Sequence, residues 1–149
     1  MNLTIDIGNT RTKIALFNGE TFVREEKFEN TDAEHLLNVV KEKEAKGLAF
    51  CSVAAENPLL VEALKQLPYP VLEVKGTTPA PVTVAYRTPE TLGADRLAAV
   101  VGAVTLKPQT DLLVVDAGTC ITYDFVDAAG NYLGGNISPG VEMRLEALH

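Results

Sequence analysis

Two stretches of this chain repeat one another, and the repeat restricts the fold more than any other feature. "LTIDIGNTRTKIALF" begins at Leu3 and "LLVVDAGTCITYDFV" at Leu112. In each, an apolar strand reaches an acid, then a glycine and hydroxyl residues, then a second apolar strand. Asp116 follows Asp6 by 110 residues, and Gly118 follows Gly8 by the same offset. Two copies of a strand-turn-strand unit imply a duplicated two-lobe α/β architecture. From Leu112 to His149 there are 38 residues, fewer than the roughly 50 a domain usually needs. The second lobe is therefore expected to be incomplete, with the first over 1–110 and the start of the second over 111–149.

The segments between the copies read as alternating strands and helices. "NLTIDIG" and "TKIALFNGETFVREEKF" have strand composition, with Asn18-Gly19 as a type I′ hairpin signal. A helix is expected over 32–46, capped by Thr31, with Leu36, Leu37, Val39 and Val40 as its apolar face and Gly47 closing it. "LAFCSVA" and "YPVLEV" are short strands, separated by a helix that starts at Asn57-Pro58. The Thr- and Pro-rich segment 76–89 reads as an ordered loop or edge, and "LGADRLAAVVGAVTL" as a helix stopped by Pro108. After the second copy, a turn at Ala128-Ala129-Gly130 and a helix behind Pro139 are expected.

The repeated turn has a chemical reading. A glycine turn lets backbone N–H groups approach phosphate oxygens, while Asn9, Thr10 and Thr12 add neutral donors and Lys13 a charge. Asp6 could ligate a phosphate-bound Mg²⁺, directly or through water. One such hairpin could equally be an ordinary turn with a polar tip. The second copy favours function: packing explains a repeated glycine but not a repeated acid. Asp116 could hold a cation and Thr119 donate to a phosphate, and two such turns facing across a cleft would clamp a triphosphate. Neither GxxxxGK[ST] nor GxGxxG occurs. In "TLGADR", Asp95 could accept a proton from a substrate hydroxyl. Taken alone, that segment reads better as capping and surface pairing at a helix start.

Composition excludes several classes. The formal charge of −7 argues against a nucleic-acid binder, which needs clustered Lys and Arg. The longest apolar run outside the strands, "LAAVVGAVTL", is about half a membrane span. No signal peptide is apparent, because Asp6 interrupts the first apolar stretch. Cys51 and Cys120 suit a reducing compartment and form no CxxC pair. His35 and His149 suggest neither catalysis nor a metal site. A cytoplasmic protein without membrane or nucleic-acid partners is expected.

In order along the chain, "DIGNTRTK", "YRTPETLGADR", "DAGTCITYD" and "GGNISPG" resemble the type III pantothenate kinases of the actin-like superfamily, whose lobes are ribonuclease H-like. The resemblance implies ATP-dependent phosphorylation of pantothenate, the first step towards coenzyme A. It implies that Asp6, Ile7, Gly8, Asn9, Thr10, Arg11, Thr12 and Lys13 form a phosphate-binding segment for ATP with Mg²⁺, with Thr119 as a second ATP contact. Asp116 would ligate a monovalent cation, K⁺ or NH₄⁺. Tyr86, Gly93, Ala94, Asp95 and Arg96 would contact pantothenate, with Asp95 as general base, in a homodimer. The resemblance places a further substrate threonine and much of the adenosine side beyond His149. A non-catalytic accessory protein, or a kinase of another small alcohol, are the alternatives.

Overall fold

The computed structural model describes residues 1–8, 11–29, 33–52 and 58–148. Thr31, Asp32, Asn57 and His149, which carried sequence expectations, lie outside them. The chain divides into two compact units, Met1–Val74 and Lys75–His149.

In the first unit, β1 (Asn2–Ile7), β2 (Arg11–Asn18), β3 (Thr21–Glu29), β4 (Gly47–Ser52) and β5 (Val71–Glu73) form a sheet in the order β3-β2-β1-β4-β5. Helices α1 (Ala33–Lys41) and α2 (Pro58–Lys65) connect β3 to β4 and β4 to β5. Strands β1, β2 and β3 make an antiparallel meander, whereas β4 runs parallel to β1. Alternation in the strands decides which face is covered. Leu3, Ile5 and Ile7 of β1, Ile14 and Leu16 of β2, and Leu48 and Phe50 of β4 are buried with Leu36 and Val40 of α1 and Leu60 and Leu64 of α2. Each such side chain contributes about 1.5–3 kcal/mol of burial.

Two local expectations are corrected. Helix α1 ends at Lys41, not at residue 46, because Gly47 is not a helix cap. It is the first residue of β4, opposite Asn2, and the Lys46 N–H donates to the Met1 carbonyl at 2.7 Å. The first hairpin turns on Gly19-Glu20, since Asn18 pairs with Thr21. Positive φ occurs at Gly19 (60°) and not at Glu20, the pattern of a type II′ rather than a type I′ turn.

The second unit contains β6 (Thr83–Val84), a 3₁₀ turn (Pro89–Thr91), α3 (Ala94–Leu106), β7 (Leu112–Ala117), β8 (Cys120–Val126), β9 (Asn131–Pro139) and α4 (Val141–Glu146). Its sheet runs β6-β9-β8-β7, and β7-β8-β9 repeats the antiparallel meander of the first unit. The expected turn after β8 is present, with Gly130 at φ 83°. The sequence repeat restarts after residue 110, but the compact units part earlier because α3 packs on β7 and β8. Leu97 and Val100 of α3 pack with Leu92, Val126 and Tyr132, and with the half-buried Leu112 and Val114. The opposite face differs from the first unit: Leu113 and Val115 are 64% and 52% exposed, whereas their counterparts Leu3 and Ile5 are buried. Among the described residues, no helix is long and apolar enough to cross a membrane.

Candidate functional site

The first turn is built by the β1-β2 register. Asp6 lies opposite Lys13 across the hairpin and beside Cys51 on β4. Lys13 Nζ is 3.4 Å from Asp6 Oδ2, and the Cys51 thiol donates a long hydrogen bond to Oδ1 at 3.6 Å. The Gly8 N–H donates to the Arg11 carbonyl at 3.0 Å and closes the turn. Arg11 is exposed, while Ile7 and Thr12 point to the buried face. Asn9 and Thr10 lie outside the described residues. Both members of the Asp6-Lys13 pair are well exposed, and a pair of that kind contributes about 0–1 kcal/mol. Breaking the pair would therefore cost little stability.

The second turn repeats this with one residue fewer. Asp116 lies opposite Thr122, and the Gly118 N–H donates to the Cys120 carbonyl at 2.9 Å. Asp116 and Thr119 are exposed. The turn rests on the entry to α4, where the Gly140 N–H donates to the Thr119 carbonyl at 2.9 Å. A Cβ at position 140 would collide with the Gly118 and Thr119 carbonyl oxygens, so glycine is needed for that approach. Among the described residues, no three His, Cys, Asp or Glu side chains cluster to hold a metal. A single carboxylate such as Asp6 fits Mg²⁺ that arrives with phosphate oxygens, since Mg²⁺ commonly keeps water and takes only one or two carboxylates.

The third feature is the start of α3. The Thr91 hydroxyl donates to the Thr88 carbonyl at 2.9 Å within the preceding 3₁₀ turn. Gly93 stands at the N-cap with φ −60°, ordinary for any residue. Its effect is local: a Cβ there would strike Asp95 Oδ1, so the carboxylate would have to move. Asp95, partly exposed, occupies the first turn of α3, and Ala94 and Arg96 are buried.

Arg96 turns inward to Asp124 on β8 and is not a surface partner for Asp95. Its Nε donates to both carboxylate oxygens, at 3.0 and 3.2 Å, and its Nη2 donates to Oδ1. The Tyr132 hydroxyl on β9 donates to the same oxygen. Asp124 is 1% exposed and Arg96 6%. Burial alone would lower the Arg96 pKa; hydrogen bonding to Asp124 overrides it and holds the value above the ordinary one. Burial, then the bond to Asp124, raises Tyr132 above the ordinary phenol range. Removing one partner of such a buried pair costs about 3–5 kcal/mol. The Tyr86 ring lies 5.9 Å from the guanidinium carbon, within cation–π range.

Two glycines make room for this arrangement. A Cβ on Gly135 would collide with the Tyr123 carbonyl and stand 2.6 Å from Asp124 Oδ1 and 2.8 Å from Arg96 Nη2. Gly134, at φ 113°, faces the Tyr86 ring, 3.3 Å from where its Cβ would be. Tyr86, Gly93, Ala94, Asp95 and Arg96 thus belong to one unit, whereas Asp6 to Lys13 belong to the other. Sequence reasoning missed Asp124 and Tyr132; the acid inside the apolar "ITYDFV" strand was the available signal. A groove of about 520 Å³ on the first unit, lined by Thr4, Phe17, Ala49, Pro70 and Leu72 among others, has no ionisable side chain among the described residues that line it.

The paired meanders and their acid-glycine turns place the chain in the actin-like ATPase fold class. A Ppx/GppA phosphatase from Aquifex aeolicus shares that fold at a TM-score of 0.53 and 18% identity, over 98% of this chain and 54% of the other. The sequence pattern of the family described as type III pantothenate kinase matches residues 2–149, and the chain belongs to that family. It is 49% identical over 149 residues to the type III pantothenate kinase of Bacteroides fragilis (strain ATCC 25285), covering 100% of this chain and 61% of the relative. A crystal structure of a conserved Baf family protein from Campylobacter jejuni, described as a candidate transcriptional activator, matches with a TM-score of 0.57 and 25% identity, over 94% of this chain and 55% of that one. The chain spans about 61% of the length of the curated relatives it matches.

Proposed function

We propose that the complete protein carrying this chain transfers the γ-phosphoryl group of MgATP to the primary alcohol of pantothenate, giving 4′-phosphopantothenate, the first step of coenzyme A biosynthesis. The observation that carries this reading is Asp95, held at the start of α3 with room for its carboxylate left by Gly93, within a family match that runs over residues 2–149. Tyr86 and the segment Gly93 to Arg96 bind the acceptor. Asp95 orients the hydroxyl and takes its proton as the phosphoryl group arrives. Phosphoryl transfer usually has a loose transition state, so alignment and charge compensation matter more than a strong base. A carboxylate is therefore adequate.

The segment from Asp6 to Lys13 binds the ATP phosphates through turn N–H groups and the Lys13 ammonium, and Thr119 adds a contact from the second turn. Asp6 ligates Mg²⁺, and Asp116 a monovalent cation, K⁺ or NH₄⁺. These cations, when bound, offset phosphate charge that a protein of formal charge −7 does not offset on average. The duplicated lobes are read as 1–110 and the beginning of a second from 111, in a cytoplasmic homodimer.

The test is Asp95→Asn in the complete protein. It should lower pantothenate-dependent ADP release by about 10²–10⁴-fold, the range for general acid–base catalysis, while ATP still binds. Near-normal turnover would remove Asp95 from this role. The Campylobacter jejuni description supports a second reading, a non-catalytic accessory protein of the same fold; that reading predicts ATP binding without turnover in the wild type. A kinase of another small alcohol would release ADP with that alcohol instead.

A further inference from the structure

We propose that Asp124 is the positioning residue of the acceptor site: through Arg96, with Tyr132 as its second ligand, it sets how tightly the acceptor is held and leaves the nucleotide side unaffected. This rests on the reading of Tyr86 and Gly93 to Arg96 as acceptor contacts.

Stability gives a poor reason for the arrangement. A buried ion pair can often be replaced by apolar residues of similar volume with no loss of stability, and here the pair stands beside an apolar core that includes Val126 and Leu97. What it provides is direction. Asp124 engages Nε and Nη2 along one edge of the guanidinium, so the plane of that group is fixed by two donors. The Tyr132 hydroxyl holds the carboxylate from β9. Tyr86 stands within cation–π distance of the same guanidinium. Gly135 is side-chain-free where a Cβ would press on both Asp124 and Arg96, and Gly134 does the same for Tyr86. Strand glycines of this kind cost stability and mark a close approach. The Asp124 carboxylate of β8 and the Tyr86 ring from the segment before α3 thus converge on the Arg96 guanidinium, Tyr132 of β9 holds Asp124 in turn, and Arg96 adjoins Asp95 in the chain.

The experiment uses the complete protein, wild type and with Asp124→Asn or Tyr132→Phe. It reads the KM for pantothenate and for ATP separately, and the solvent exchange of the Arg96 Nε–H by ¹⁵N NMR. Tyr132→Phe keeps the ring and should raise the pantothenate KM several-fold; Asp124→Asn should raise it by about tenfold or more, with the ATP KM changed by less than about twofold in both. Both variants should speed exchange of the Arg96 Nε–H. If Asp124→Asn does not fold, Tyr132→Phe decides alone, and an unchanged pantothenate KM overturns the proposal. Equal rises in both KM values would also overturn it, since general loosening of the fold does that. If the wild type does not phosphorylate pantothenate, the functional reading fails, and the exchange measurement still decides positioning: unchanged Arg96 protection in both variants sinks it.

Discussion

A methyl group at position 93 would stand where Asp95 places its carboxylate. Because the backbone there is extended and ordinary, Gly93→Ala adds no conformational strain, and its effect falls on the carboxylate. It should lower kcat by up to about 10²-fold, the loss associated with misplacing a catalytic group by about 1 Å, with the thermal midpoint little changed. A steady-state assay paired with a melting curve checks this; unchanged kcat would show that Asp95 does not depend on the space. At this scale the sequence was informative where function lies in contiguous residues, as in "TLGADR". It was uninformative where function depends on folding back: Arg96 and Asp124 are 28 residues apart, and no local pattern pairs them. Read alone, the segment suggests Arg96 as a surface partner of Asp95, and the resemblance makes it a pantothenate contact; neither reading brings in Asp124.

Among the elements, the two meanders were legible because strand alternation and turn glycines are local signals, and because the offset of 110 residues appears in the strands themselves: β1 and β7 begin and end at positions 110 apart. The ends of α1 and of the first hairpin were not, since the pairing of Gly47 with Asn2 and of Asn18 with Thr21 is set across the sheet. One long-range tie makes a pH prediction. Lys43, just past α1, donates to Glu26 Oε1 on β3 at 2.7 Å. That hydrogen bond is the main cause holding the Glu26 pKa below its ordinary value of 4.5, against a smaller opposing effect of burial. A depressed carboxylate pKa stabilises the fold above the unfolded value, and the contribution is lost as pH falls through the folded one. Wild type should therefore exceed Glu26→Gln in urea stability at pH 7 by up to about 1 kcal/mol, and the gap should close below pH 4.5. A gap that persists in acid would contradict the assignment.

For the molecule as a whole, both copies of the repeat have a face packed by helices, but in the second copy α3 packs with Leu112 and Val114, and the face that matches the covered one of the first copy is open. Leu113 and Val115 are exposed where Leu3 and Ile5 are covered, and the chain spans about 61% of its curated relatives. Family membership and the actin-like fold are consistent with the acid-glycine turns, whereas the chemistry assigned to them belongs to the complete protein. ADP release by that protein with MgATP and K⁺, with and without pantothenate, is the most direct measurement. The account predicts release that depends on pantothenate and yields a phosphorylated primary alcohol. ATP binding with release that is the same in both mixtures would contradict it.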